Sequence, residues 1–220
     1  NDIRFFHERG YLKPDLNFKA EVIDLVESLD ETKPINESCY NYVLNEKSIK
    51  KIKDILISEK FQTFTKELEK YYNSNIYLIN AQINRNLHIE EKIQHSLNNY
   101  SNNYHVDYYI NNYFKMFINL HDVDETQGPM HLFSKKDSKK FIKLNNYKSR
   151  NNYQIKNNPE INLVKNTGSI GDLFICSTPQ CLHRASSPKF GKTRDMLFLT
   201  FAVLNNKKGS IDNLFTFIII

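Results

Sequence analysis

Glycine and proline are scarce in this chain of 220 residues, six of each, and tryptophan is absent. That scarcity excludes collagen-like, elastic and linker-like classes, and it makes each glycine the marker of a particular turn. Cysteine is nearly as rare. Cys39, Cys176 and Cys181 form an odd set with no C-x-x-C pair, which implies neither a disulfide framework nor a cysteine zinc site. A reducing cytoplasm is the compartment expected for such a chain. Long apolar runs are missing too: none reaches the roughly 18 residues of a membrane span. The apolar stretch Phe215–Ile220 is too short for one and is expected to form a buried strand. Arginine is the last shortage. The net charge of +5 is mostly lysine, with arginine only at positions 4, 9, 85, 150, 184 and 194. Proteins that read nucleic acid lean on arginine, so no nucleic-acid partner is expected.

Apolar residues make up 40% of the chain and charged residues 25%, with 15 Phe and 13 Tyr, which excludes wholesale disorder. Neither a repeat nor a Pro/Gly/Ser linker divides it, so residues 1–220 are read as a single domain. The first third, to about residue 75, reads as mainly helical. Phe18, Val22, Leu25, Val26 and Leu29 recur at helical spacing, predicting a helix over about 18–29. Ile49, Ile52, Ile55, Phe61, Phe64 and Leu68 alternate with lysine and glutamate between Lys47 and Tyr72, with a break near Ser58.

After Asn75 the pattern changes to short β-rich runs at Ile76–Ile83, Tyr104–Ile110, Phe114–Leu120, Met130–Phe133, Ile161–Val164, Leu173–Cys176 and Met196–Leu204. Turns at Gly128-Pro129, Gly168, Gly171 and Gly191 punctuate them. Residues 76–220 therefore read as a mainly β core, a jelly roll or sandwich buttressed by the N-terminal helices. Residues 135–165 form a polar, lysine-rich insertion. It reads as a solvated surface loop, or as a lid whose lysines attract an anionic or carrier-linked small-molecule substrate.

Chemistry gathers at a few histidines. In His105-Val106-Asp107 an imidazole and a carboxylate stand at i and i+2, and in an extended segment both leave from the same face. His183 follows a glycine turn, the apolar run Leu173–Cys176 and a short loop. Two histidines and one carboxylate form a facial triad suited to iron(II), leaving three positions open. Arg194 stands just ahead of the apolar run Met196–Leu204, where a planar guanidinium can grip a carboxylate by two parallel hydrogen bonds. His121 and His131 bracket the Gly128-Pro129 turn and read as structural, with a substrate-facing role as the alternative.

The run from His105 to Val203 resembles the phytanoyl-CoA dioxygenase-like family of iron(II)/2-oxoglutarate oxygenases. The likeness lies in the H-x-D pair, Ile118–Val123 leading into Gln127–Met130, Gly168-x-x-Gly171-Asp172, His183-Arg184 and Arg194. Phe5 to Leu12 is also similar to that family's opening F-x-x-x-G-Y stretch. The resemblance implies a double-stranded β-helix of the cupin-like jelly-roll class. It implies iron(II) held by His105, Asp107 and His183, with 2-oxoglutarate chelating the metal and pairing with Arg194. Asn84 and Ser186 are candidate co-substrate contacts, with Arg85 as a further one. The implied reaction uses dioxygen to hydroxylate a C–H bond, releasing succinate and carbon dioxide. The chain departs from the family at Leu132–Ser138, where proline, glycine and histidine are missing, and this leaves the substrate open. Asp107 is retained where halogenating relatives carry a small residue, which favours hydroxylation. A non-catalytic jelly-roll binding protein and a zinc-dependent hydrolase are the alternatives.

Overall fold

The computed structural model describes residues 2–90, 101–107, 112–147 and 162–204. The expected strand at 215–220, the end of the expected 104–110 strand, and Lys148, Arg150 and Lys156 lie outside the described residues.

Four helices precede most of the strands: α1 (Asp2–Arg9), α2 (Lys19–Val26), α3 (Glu46–Ile57) and α4 (Glu59–Tyr72). The predicted break at Ser58 separates α3 from α4. Asn45 caps α3 by accepting the Ser48 N–H at 2.9 Å, which satisfies one of the donors left over at a helix start. α4 ends on Asn73 in the left-handed region (φ 47°), a C-terminal cap that asparagine tolerates.

The strands are β1 (Tyr11–Leu12), β2 (Thr32–Asn36), β3 (Cys39–Tyr42), β4 (Asn75–Leu87), β5 (Tyr113–Asn119), β6 (Met130–Phe133), β7 (Leu163–Asn166), β8 (Leu173–Cys176), β9 (His183–Arg184) and β10 (Thr193–Leu204). Among the described residues they form a seven-stranded sheet, β1-β8-β5-β10-β4-β3-β2, and a three-stranded sheet, β7-β6-β9. Every pairing is antiparallel. This is the expected jelly roll, with helices against the larger sheet.

Strand parity divides the larger sheet into two faces. Ile83, Met116, Ile118, Leu173, Ile175, Leu197 and Leu199 pack with Phe18, Val22, Leu25, Ile55, Phe61 and Leu68 of the helical layer. The alternate residues Phe117, Phe174, Cys176 and Met196 pack with Met130 and Leu132 of the smaller sheet. Of these inward residues, Phe117, Met130 and Met196 line the site.

The first third adds to its helices the β2–β3 hairpin at the sheet edge and the short β1. The hairpin is short, polar and interrupted by Pro34, which edge strands tolerate and pattern reading misses. Two expectations are corrected. The H-x-D segment is not a regular strand where it is described. It is held by an isolated antiparallel bridge, with His105 N–H to His183 O at 3.0 Å and His183 N–H to His105 O at 2.9 Å. The lysine-rich insertion starts as a helix, α5 (Lys135–Leu144), and returns as β7. Ser134 caps α5 by accepting the Asp137 N–H, and Phe141 inserts beside Tyr104, Phe133 and Leu182. The lysines lie along a packed helix, so the lid reading loses its basis over 135–144.

Candidate metal centre

His105 reaches the site through its bridge to β9, which sets it beside His183 with ring centroids 4.4 Å apart. The Asp107 N–H donates to Thr178 O at 3.1 Å, fixing the other end of the motif to the loop before His183. Asp107 Oδ1 lies 3.7 Å from His105 Nε2 and 3.8 Å from His183 Nε2. One ligand atom from each residue falls within 4.8 Å of the others. Both histidines are buried.

Each imidazole is oriented by the carbonyl oxygen two residues upstream. His105 Nδ1 lies 2.7 Å from Asn103 O, and His183 Nδ1 lies 2.9 Å from Cys181 O. A carbonyl can only accept, so Nδ1 carries the hydrogen and Nε2 is the nitrogen that could hold a metal. Burial by itself would raise the Asp107 pKa. The adjacent His183 and Lys115 outweigh it and hold the carboxyl well below its usual range. Lys115 Nζ is 2.7 Å from Asp107 Oδ2.

These residues open onto a cavity of about 270 Å³ between the two sheets, lined also by Asn84, Asn86 and Arg194. Arg194 is 2% exposed. Its Nη2 donates to Asn86 Oδ1 at 3.0 Å, while Nε and Nη1 have no hydrogen-bond partner among the described residues. Burial lowers the Arg194 pKa to about 10, with Cys39 as the opposing neighbour. Burial in turn pushes the Cys39 thiol up to about 11, so it is no counter-charge at neutral pH. A buried cation with unused donors destabilises the fold unless an anion completes it. A more open groove of about 910 Å³ among α1, α2 and α4 contains none of the predicted site residues.

The structure therefore brings His105, Asp107, His183, Arg194 and Asn84 to one cavity. Asn84 Oδ1 is buried there with no partner among the described residues. Ser186 is not brought in: its hydroxyl donates to Pro129 O, and it is not among the lining residues. Arg85 is excluded by parity. It sits opposite Asp195 on the other face of the sheet, pairs with that carboxylate and stacks on Tyr42. His121 is structural, with Nε2 accepting the Asp195 N–H at 2.9 Å. His131 lies beside Arg184, and burial first, then Arg184, lowers its pKa to about 4. No described residue of α5 lines the cavity. Sequence reading missed Lys115, although a lone lysine inside the apolar run Phe114–Leu120 was a visible signal. It also missed Asn36 and Cys39, which arrive on the unforeseen hairpin.

Neither a protein-family model nor a curated protein sequence matches the chain. Solved structures do. HygX from Streptomyces hygroscopicus, with nickel and 2-oxoglutarate bound, is 12% identical with a TM-score of 0.57, over 91% of this chain and 85% of that one. A 2OG-Fe(II) oxygenase family oxidoreductase from Burkholderia pseudomallei is 14% identical with a TM-score of 0.57, over 94% and 92%. The non-heme alpha ketoglutarate dependent epimerase SnoN from nogalamycin biosynthesis is 12% identical with a TM-score of 0.56, over 90% and 80%. At such identities the likeness establishes the jelly-roll fold over nearly the whole chain and nothing of its chemistry.

Proposed function

We propose that the protein is an iron(II)- and 2-oxoglutarate-dependent dioxygenase of the phytanoyl-CoA dioxygenase-like branch, hydroxylating a small molecule in a reducing compartment. One observation carries the reading: the His105–Asp107–His183 cluster shares its cavity with a buried arginine whose Nε and Nη1 have no hydrogen-bond partner among the described residues. A zinc hydrolase would have no use for that arginine, and a binding protein would have no use for the cluster. His105 Nε2, His183 Nε2 and Asp107 Oδ1 would hold the metal. Arg194 would take the distal carboxylate of 2-oxoglutarate, with Asn84 and Asn86 as polar neighbours. Bound together, iron and 2-oxoglutarate supply the oxidising chemistry that couples dioxygen to C–H hydroxylation, with succinate and carbon dioxide released.

The chain's own residues do the positioning. The carbonyls of Asn103 and Cys181 fix both imidazoles, and Phe117, Met130, Met196 and Phe198 give the cavity an apolar wall that limits water. At about 270 Å³ the cavity admits a co-substrate and the reacting end of a second molecule, so a large substrate would remain mostly outside. The resemblance of the H-x-D segment, with its carboxylate retained, favours hydroxylation, although one similar structure is an epimerase. Anaerobic addition of iron(II) and then 2-oxoglutarate should produce the metal-to-ligand charge-transfer band, and His183→Ala should abolish stoichiometric iron binding. An unchanged iron affinity in that variant removes His183 from the ligand set.

A further inference from the structure

We propose that Lys115 is a positioning residue that holds Asp107 to ligation through one oxygen, a role that rests on reading His105, Asp107 and His183 as the metal ligands. The two oxygens of this carboxylate are divided between partners. Oδ1 is turned to both histidine Nε2 atoms, at 3.7 and 3.8 Å. Oδ2 lies 2.7 Å from Lys115 Nζ. The lysine comes from β5, where its neighbours Phe114 and Met116 are buried in the helix-facing core, so its backbone position is rigid. The pair is shielded from water, with side-chain exposures of 21% for Lys115 and 14% for Asp107.

The division matters because of how many positions the site needs. A facial triad leaves three positions, two for a chelating co-substrate and one for dioxygen. A carboxylate binding through both oxygens would take one of them. The hydrogen bond from Lys115 to Oδ2 opposes that swing. It also fixes the orientation of Oδ1 before any ion arrives, as hydrogen-bond partners of ligating carboxylates do elsewhere.

Lys115→Met separates this role from simple charge, because the two predict opposite signs. A cation beside a metal site repels the ion, so removing it should tighten metal binding if repulsion is all it contributes. If Lys115 orients the carboxylate, its removal should weaken binding by about 10- to 100-fold.

The experiment is an anaerobic cobalt(II) titration followed by visible absorption, without 2-oxoglutarate, on the parent, Lys115→Met and Lys115→Arg, with thermal unfolding midpoints recorded alongside. The expected result is weakened cobalt binding in Lys115→Met, substantial recovery in Lys115→Arg, and weaker 2-oxoglutarate addition to the cobalt-saturated methionine variant. Unchanged or tighter cobalt binding in Lys115→Met overturns the proposal. So does equal weakening in both variants that merely follows a drop in unfolding midpoint. If Lys115→Met does not fold, Lys115→Gln carries the same comparison. A parent that binds no cobalt refutes the metal reading itself, and the role of Lys115 falls with it.

Discussion

Replacing Arg194 should separate co-substrate binding from everything else the site does. The guanidinium is 2% exposed, bonds once to Asn86, and keeps Nε and Nη1 without partners among the described residues. Arg194→Lys retains a charge but loses the planar fork. One charge-assisted hydrogen bond is worth about 1.5–3 kcal/mol, so 2-oxoglutarate affinity should fall by roughly 10- to 150-fold. The effect can be read thermally on anaerobic, nickel-loaded protein. At a co-substrate concentration about 100 times the parent's Kd, binding stabilises the parent by about 2.7 kcal/mol. At about 2–4 °C per kcal/mol for a chain of this size, the midpoint rises by roughly 5–11 °C. If the variant binds about 100-fold more weakly, the same concentration yields only about 0.4 kcal/mol, or roughly 1 °C. Arg194→Met adds a second comparison. Removing a buried charge that has no counter-charge relieves its desolvation cost, and even whole buried ion pairs replaced by apolar side chains are often neutral or favourable by about 1–4 kcal/mol. Leaving Asn86 unbonded costs about 1–3 kcal/mol. The unliganded methionine variant should therefore unfold near the parent's midpoint while losing the 2-oxoglutarate shift. A large loss of stability with the shift intact would make Arg194 a structural residue and remove it from co-substrate binding.

Gly128 has φ 66°, and a Cβ there would lie 2.5 Å from the backbone of Ser186 and Pro188, so Gly128→Ala should cost at least about 1–3 kcal/mol in urea unfolding. His131 has its pKa lowered to about 4, chiefly by burial. A histidine kept neutral in the fold stabilises above its unfolded value of about 6.5, and that contribution is lost as pH falls from there toward about 4. His131→Leu should flatten this limb of a urea-midpoint against pH curve. Phe141 is 1% exposed and stacks on Phe133 at 5.2 Å. Phe141→Ala should cost about 3–5 kcal/mol in equilibrium unfolding, whereas glutamine at exposed Lys136 and Lys139 should leave 2-oxoglutarate affinity unchanged by calorimetric titration.

Local periodicity made much of this protein legible from its sequence. The helix break at Ser58 and the strands Met130–Phe133 and Leu173–Cys176 follow from spacings that any short segment carries within itself. The candidate residues His105, Asp107, His183 and Arg194 were also legible, because a same-face pair, a turn-strand-histidine unit and a strand-leading arginine are local patterns. The helix in 135–144 could have been read from Ser134 and Asp137 and from the spacing of Ser138 and Phe141, but its lysines suggested a loop. What the chain alone could not decide was which strand lies beside which. The approach of His105 to His183 depends on a bridge between segments 78 residues apart. The rejection of Arg85 depends on its standing opposite Asp195 across β4 and β10, on the face away from the cavity. Lys115 acquires a partner only because β5 runs inside the larger sheet, between β8 and β10, and brings its inward face to the carboxylate. Periodicity is set by backbone geometry within a few residues, whereas partnership is set by the packing of whole sheets, and the site is made of partnerships.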